Sequence, residues 1–159
     1  MQISRASDYA VRVMIHLAGL PSGSIASQAE LSKETGVSED FLLKVLQRLV
    51  RERLIRSQRG SEGGYALAVP PTTLTLIQVV ESMEGPIRLN QCLGEEPTCE
   101  RKPWCPAHEI WAQAQMLMLH LLGGVSIADL ANRAKNMPIR HQRPHLKPIS
   151  ISVLSEKPK

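Results

Sequence analysis

Residues 36–50 read GVSEDFLLKVLQRLV, the order of a tight turn followed by an amphipathic helix. Gly36 supplies the backbone freedom of the turn, Val37 is expected to tuck inward, and Ser38 is a natural helix cap. Phe41, Leu42, Val45, Leu46 and Leu49 then recur at helical spacing along one face. The opposite face offers Glu39, Asp40, Leu43, Lys44, Gln47 and Arg48. Just upstream, Ser27 precedes Glu30 by a capping-box interval and starts a short helix that runs through Leu31 to Thr35. Two short helices joined by a glycine-containing turn form a helix-turn-helix.

The flanking residues extend that unit. Before it, Ile3, Ala6, Ala10, Val13, Met14 and Leu17 recur at helical spacing up to Gly19 and Pro21. After it, LIRSQRGSEGGYALA (residues 54–68) alternates apolar and polar residues around a glycine-rich tip, as a β-hairpin does. Gly63 and Gly64 are expected to supply positive φ at the return. The predicted fold is therefore mainly α with a small β-hairpin wing, a winged helix-turn-helix over residues 1–85. LTLIQVVESMEG (74–85) reads as its last helix, with Thr75 at the start and Gly85 past the end.

In such a fold the third helix enters the major groove and the wing lies on the backbone or in the minor groove. The charge distribution agrees. Residues 44–61 carry Lys44, Arg48, Arg51, Arg53, Arg56 and Arg59 against Glu52 alone, within a chain of formal net charge +4. Arg56 and Arg59 are expected over phosphates. Lys44, Gln47 and Arg48 are placed to donate to base edges or phosphates, and an acid such as Glu39 to accept from cytosine. Ser38 and Asp40, at the leading end of the same helix, complete the candidate DNA-binding set. Solvated helix faces would give a similar charge pattern, so the ordered set of turn, helix and hairpin carries the reading.

Composition sets the frame. The 159 residues suit one ordinary domain, or a small domain with an oligomerisation element. Apolar residues make up 43% and aromatics only 3%, so the core must be built from aliphatic side chains and Met. No stretch is long and apolar enough to span a bilayer, and MQISRASDYAV lacks the layout of a signal peptide. The expected compartment is the cytoplasm, where thiols stay reduced.

All three cysteines fall in CLGEEPTCERKPWCPAH, residues 92–108, within a predicted loop at 86–106. An odd count in a reducing compartment makes a disulfide the poorest explanation. Six residues separate Cys92 from Cys99 and five separate Cys99 from Cys105, without the close CxxC knuckles of common structural zinc sites. Such spacing lets three sulfurs wrap around a larger inorganic core, although zinc and unliganded thiols stay open on local chemistry alone. Pro106 fits the first position of the helix that follows. This places Cys105 at its N-cap, where free amides favour a thiolate. A catalytic thiol would need a partner base and a substrate pocket, and the sequence points to neither.

PAHEIWAQAQMLMLHLLGG (106–124) is a long amphipathic helix, with Ile110, Ala114, Leu117 and Leu121 in a stripe widened by Trp111, Met118 and Leu122. We assign 107–136 to a dimerisation helix plus the short helix IADLANRAKN, capped by Ser126. Core packing within one chain would be the alternative use of the stripe. Residues 137–159 hold four prolines and mixed charge and are expected to be a flexible basic tail.

These features together resemble the Rrf family of iron–sulfur winged-helix regulators, which contains IscR, NsrR and RirA. The matching stretches are SDYAVRVMIHLA (7–18), GVSEDFLLKVLQRL, VRERLIRSQRGSEGGYAL (50–67), the three-cysteine loop and SIADL (126–130), spanning roughly residues 1–136. The first cysteine gap is one residue longer than is common among such relatives. The resemblance implies a homodimeric transcriptional regulator, not an enzyme, that binds a double-stranded DNA operator and no membrane. It implies an iron–sulfur cluster, 2Fe–2S or 4Fe–4S, on Cys92, Cys99 and Cys105. For the fourth ligand it favours Asp8 from the partner subunit, as in NsrR-like members, with His108 as the IscR-like alternative. The alternative readings are an Asp8 that only pairs with Arg12 at i+4 and a His108 that is an exposed histidine near the first turn. The implied output is repression relieved when nitric oxide, oxidants or iron shortage damage the cluster.

Overall fold

The computed structural model describes residues 3–60, 63–94 and 99–137. Helix α1 (Arg5–Gly19) is the element around which the others pack. It starts at Ser4, whose hydroxyl accepts from the Ser7 amide, and it buries Ala10, Val13, Met14 and Leu17. Helix α2 (Gln28–Thr35) has the predicted Ser27 cap, which accepts from the Glu30 amide. It ends at Gly36 with φ of 70°, the left-handed conformation that glycine adopts without steric cost.

Helix α3 (Glu39–Arg51) buries Leu42, Val45, Leu46 and Leu49, while Phe41 stays at the rim with its ring edge-on to Tyr9 at 5.5 Å. Ser38 occupies the cap position, yet its side chain makes no cap hydrogen bond. The chain leaves α3 through Arg53, at φ of 59° the one non-glycine residue with positive φ among those described. The wing is a two-stranded antiparallel sheet of β1 (Ile55–Gln58) and β2 (Gly64–Leu67), with Ile55 opposite Leu67 and Gln58 opposite Gly64. An isolated bridge between Ala26 and Tyr65 fastens β2 to the segment before α2.

The wing glycines depart from expectation. Positive φ falls on Gly60, at 119°, and not on Gly63 or Gly64. Those two are glycine for want of space. A Cβ on Gly63 would sit 2.5 Å from the carbonyl oxygen of Gln58, and one on Gly64 would collide with the carbonyl oxygen of Ala26.

Helix α4 (Leu76–Glu84) opens with a full capping box between Thr75 and Gln78 and stops at Gly85. Two short 3₁₀ turns, Gln91–Leu93 and Lys102–Trp104, carry the chain through the cysteine segment. Helix α5 (Pro106–Gly123) follows, and α6 (Ile127–Lys135) closes the described chain behind a second capping box, Ser126 with Asp129. Ile127 is fully buried and joins Met14, Leu46 and Val79 in one apolar cluster. The short final helix thus packs back on α1 and completes the winged-helix core. The expected tail beyond Met137 lies outside the described residues.

Two features frame the surface. Among the described residues, no helix is long and apolar enough to cross a membrane. Helix α5 buries none of its residues completely: Ile110 is 61% exposed, Leu117 54% and Leu121 58%. Ala114, Met118 and Leu122 in the same stripe are half-buried.

Candidate nucleic-acid interface and cysteine segment

Leu42, Val45, Leu46 and Leu49 bury one face of α3, which leaves its polar residues on the other. Ser38, Glu39, Asp40, Lys44 and Gln47 are all exposed on the outer face, together with Leu43. Arg56 on β1 and Arg59 at the wing turn are exposed as well. Arg48 differs. It is half-buried, its Nε donates to the carbonyl oxygen of Ser82 on α4 at 2.8 Å, and the same nitrogen lies 3.3 Å from Glu52 Oε1. The structure therefore brings seven of the eight candidate DNA residues to open surface and ties the eighth to a neighbouring helix.

The cysteine segment lies at the foot of α5. All three thiols are free; Cys92 is buried and Cys99 and Cys105 are half-buried. Cys105 takes the N-cap position of α5 directly before Pro106, as its neighbour in sequence predicts. His108, one turn into α5, turns back so that Nδ1 lies 3.5 Å from Cys92 Sγ. Among the described residues, no three His, Cys, Asp or Glu side chains converge on one point. Just before Cys92 the chain is anchored twice, by the Ile87 amide donating to Glu81 Oε1 at 3.2 Å and by the Leu89 amide donating to Gln115 Oε1 of α5 at 3.0 Å.

Asp8 sits exposed in the first turn of α1, paired with Arg12 at 2.6 Å. The Arg12 guanidinium also donates to the Thr35 carbonyl oxygen, at the turn of the helix-turn-helix, and lies over the Tyr9 ring. Sequence reasoning did not find Glu84. Its carboxylate accepts from the Ser7 hydroxyl at 2.5 Å and the Ser4 amide at 2.9 Å, joining the end of α4 to the start of α1. Hydrogen bonding from Ser4 and Ser7 holds this carboxyl below the ordinary glutamate range. Nothing in the sequence links two positions eighty residues apart.

A wing, a two-helix reading unit and an exposed polar face on its second helix define a winged-helix DNA-binding regulator. The Rrf2 family, described as iron-dependent transcriptional regulators, has a model that matches residues 3–133, and the chain belongs to that family. It is similar to a helix-turn-helix-type transcriptional regulator of Mycobacterium tuberculosis, 32% identical over 134 residues, which are 84% of this chain and 83% of that protein. Among solved structures it resembles CymR, the global cysteine regulator of B. subtilis, at 26% identity and a TM-score of 0.65, covering 84% of this chain and 98% of that one. The fold also matches T. potens IscR, at 21% identity and a TM-score of 0.69, over 87% and 93% of the two chains. These relatives are regulators of transcription and not enzymes.

Proposed function

We propose that the chain acts in the cytoplasm as a homodimeric repressor whose operator binding is controlled by an iron–sulfur cluster. The observation that carries this reading is the set of three free cysteines at the foot of α5, with Cys92 buried against His108. The donor chemistry fits: thiolates are the usual ligands of iron–sulfur cores, and an imidazole replaces one of them in known variants. Cys92, Cys99 and Cys105 would hold the group, with Asp8 of the partner subunit at the fourth position. When bound, such a cluster supplies a centre that nitric oxide, oxidants or iron shortage can alter or remove. The exposed stripe of α5 is the surface through which two copies pair. Pairing sets whether two reading helices meet successive major grooves about 34 Å apart.

His108 gives a second reading of the fourth ligand. Its ring nitrogen already stands beside Cys92, whereas Asp8 would have to leave Arg12. Anaerobic purification, with visible absorbance and intact mass spectrometry of the wild type, Asp8→Ala and His108→Ala, tests both. The wild type should be coloured and carry the mass of an iron–sulfur core. Asp8→Ala should shift the spectrum and change the rate of cluster loss under oxygen or nitric oxide, with His108→Ala nearly silent. The reverse ranking reassigns the ligand to His108. A colourless protein carrying zinc overturns the cluster reading.

On the DNA side, Arg59→Ala should weaken binding to all sequences and lower the slope of log affinity against log salt by about one phosphate contact. Gln47→Ala should instead alter preference at one or two base pairs. Salt titrations on several duplexes distinguish the two. An unchanged slope for Arg59→Ala removes the wing from the interface.

A further inference from the structure

The last turn of α4 gathers contacts from three directions. The Glu81 carbonyl oxygen accepts the Gly85 amide at 2.8 Å in the ordinary helical manner. Ser82 has no such option, because the residue four positions on is Pro86, which lacks an N–H. Its carbonyl oxygen is one of the unsatisfied groups every helix leaves at its C-terminus. Arg48 fills the gap from α3, and a cation at a helix C-terminus is also favoured by the helix dipole. One residue earlier, the Glu81 carboxylate holds the amide of buried Ile87, from which the chain runs on to Cys92. Two residues later, Glu84 holds Ser4 and Ser7 of α1.

We propose that Arg48 is a positioning residue that couples the cysteine segment to the reading helix through the end of α4, and that it does not contact DNA. The inference rests on α3 being the DNA-reading helix. Its ground is directional. The Arg48 Nε is committed to Ser82, while Lys44 and Gln47 on the same helix stay exposed. A shift of the Ile87 backbone pulls on Glu81, hence on the turn that holds Arg48, hence on the pitch of α3. Any state of the segment below Ile87 is in this way felt at the DNA surface, and DNA binding is felt in the segment, since coupling is reciprocal.

The test uses metal-free full-length protein, with and without excess non-specific duplex DNA at low salt, followed by hydrogen exchange. In the wild type, DNA should slow exchange in α3 and also in residues 85–94, the latter by about fivefold or more. Arg48→Lys keeps the charge but puts a methylene where Nε stood. It should retain protection of α3 and lose that of 85–94. Lys44→Ala, saturated with DNA, should retain both. Arg48→Gln should leave the salt slope of DNA binding unchanged. Protection of 85–94 that survives in Arg48→Lys, or is absent in the wild type, overturns the coupling. A slope lowered by about one contact in Arg48→Gln places the side chain on a phosphate and overturns it too. Lack of protection on α3 in the wild type would remove the DNA-reading role of that helix, and the coupling with it.

Discussion

Cys92→Ala, Cys99→Ala and Cys105→Ala should each give a folded, helical protein with no stable cluster and no visible absorbance. The two halves of that result have separate causes. Folding rests on the cluster of Met14, Leu42, Leu46, Val79 and their neighbours, which contains no described residue of the cysteine segment. The proposed metal site rests on thiolates, and three is already fewer than the four ligands a cluster usually takes. Circular dichroism should therefore match the wild type while iron and sulfide content collapse. DNA binding should persist in some form and lose its response to nitric oxide and oxidants. A single variant with full cluster occupancy would remove that cysteine from the ligand set.

Ile127→Ala should destabilise the protein by about 2–5 kcal/mol, the range for truncating a fully buried aliphatic side chain. Small domains are held by roughly 5–15 kcal/mol, so this one change near the end of the described chain should remove a large part of the total. The residue is 0% exposed and touches the same cluster as α1 and α3. Its segment is fixed further by the Ile127 amide donating to the Leu74 carbonyl oxygen at 2.8 Å. Urea denaturation measures the effect. A loss below about 1 kcal/mol, the scale of a typical surface change or less, would mean that α6 only rests on the winged helix and does not complete it.

What the sequence could and could not disclose follows from the range of the interactions involved. Caps act over three residues, and Ser27, Thr75 and Ser126 stand where their local patterns put them. Pro106 likewise announces Cys105 as the cap of α5. The face of α3 that carries Lys44 and Gln47 follows from helical periodicity alone. Glycine is harder, because one letter serves two needs. Gly60 is required by its φ, and Gly63 and Gly64 by the backbone oxygens that crowd them; only the fold separates the cases. Long-range partners leave no local mark. The same side chain of Arg48 reads as a DNA contact on a helical wheel and as a brace once α4 lies beside it. The destination of α6 is hidden for the same reason. Its periodic apolar face shows that it packs, and nothing in it names α1.

Helix α5 is fastened at two points to the chain that precedes it. Gln115, at the middle of the helix, holds the Leu89 backbone in the segment after α4, and just past the helix end the Leu76 amide donates to the Val125 carbonyl oxygen beside the Thr75–Ser126 bridge. A rod pinned at two separate points has little freedom to swivel. In a pair of copies joined along this rod, the gap between the reading heads works as the opening of a calliper. A small change of crossing angle at the joint becomes a larger change of span at the tips, and DNA, whose grooves repeat at a fixed interval, is the gauge that accepts one span and refuses the next.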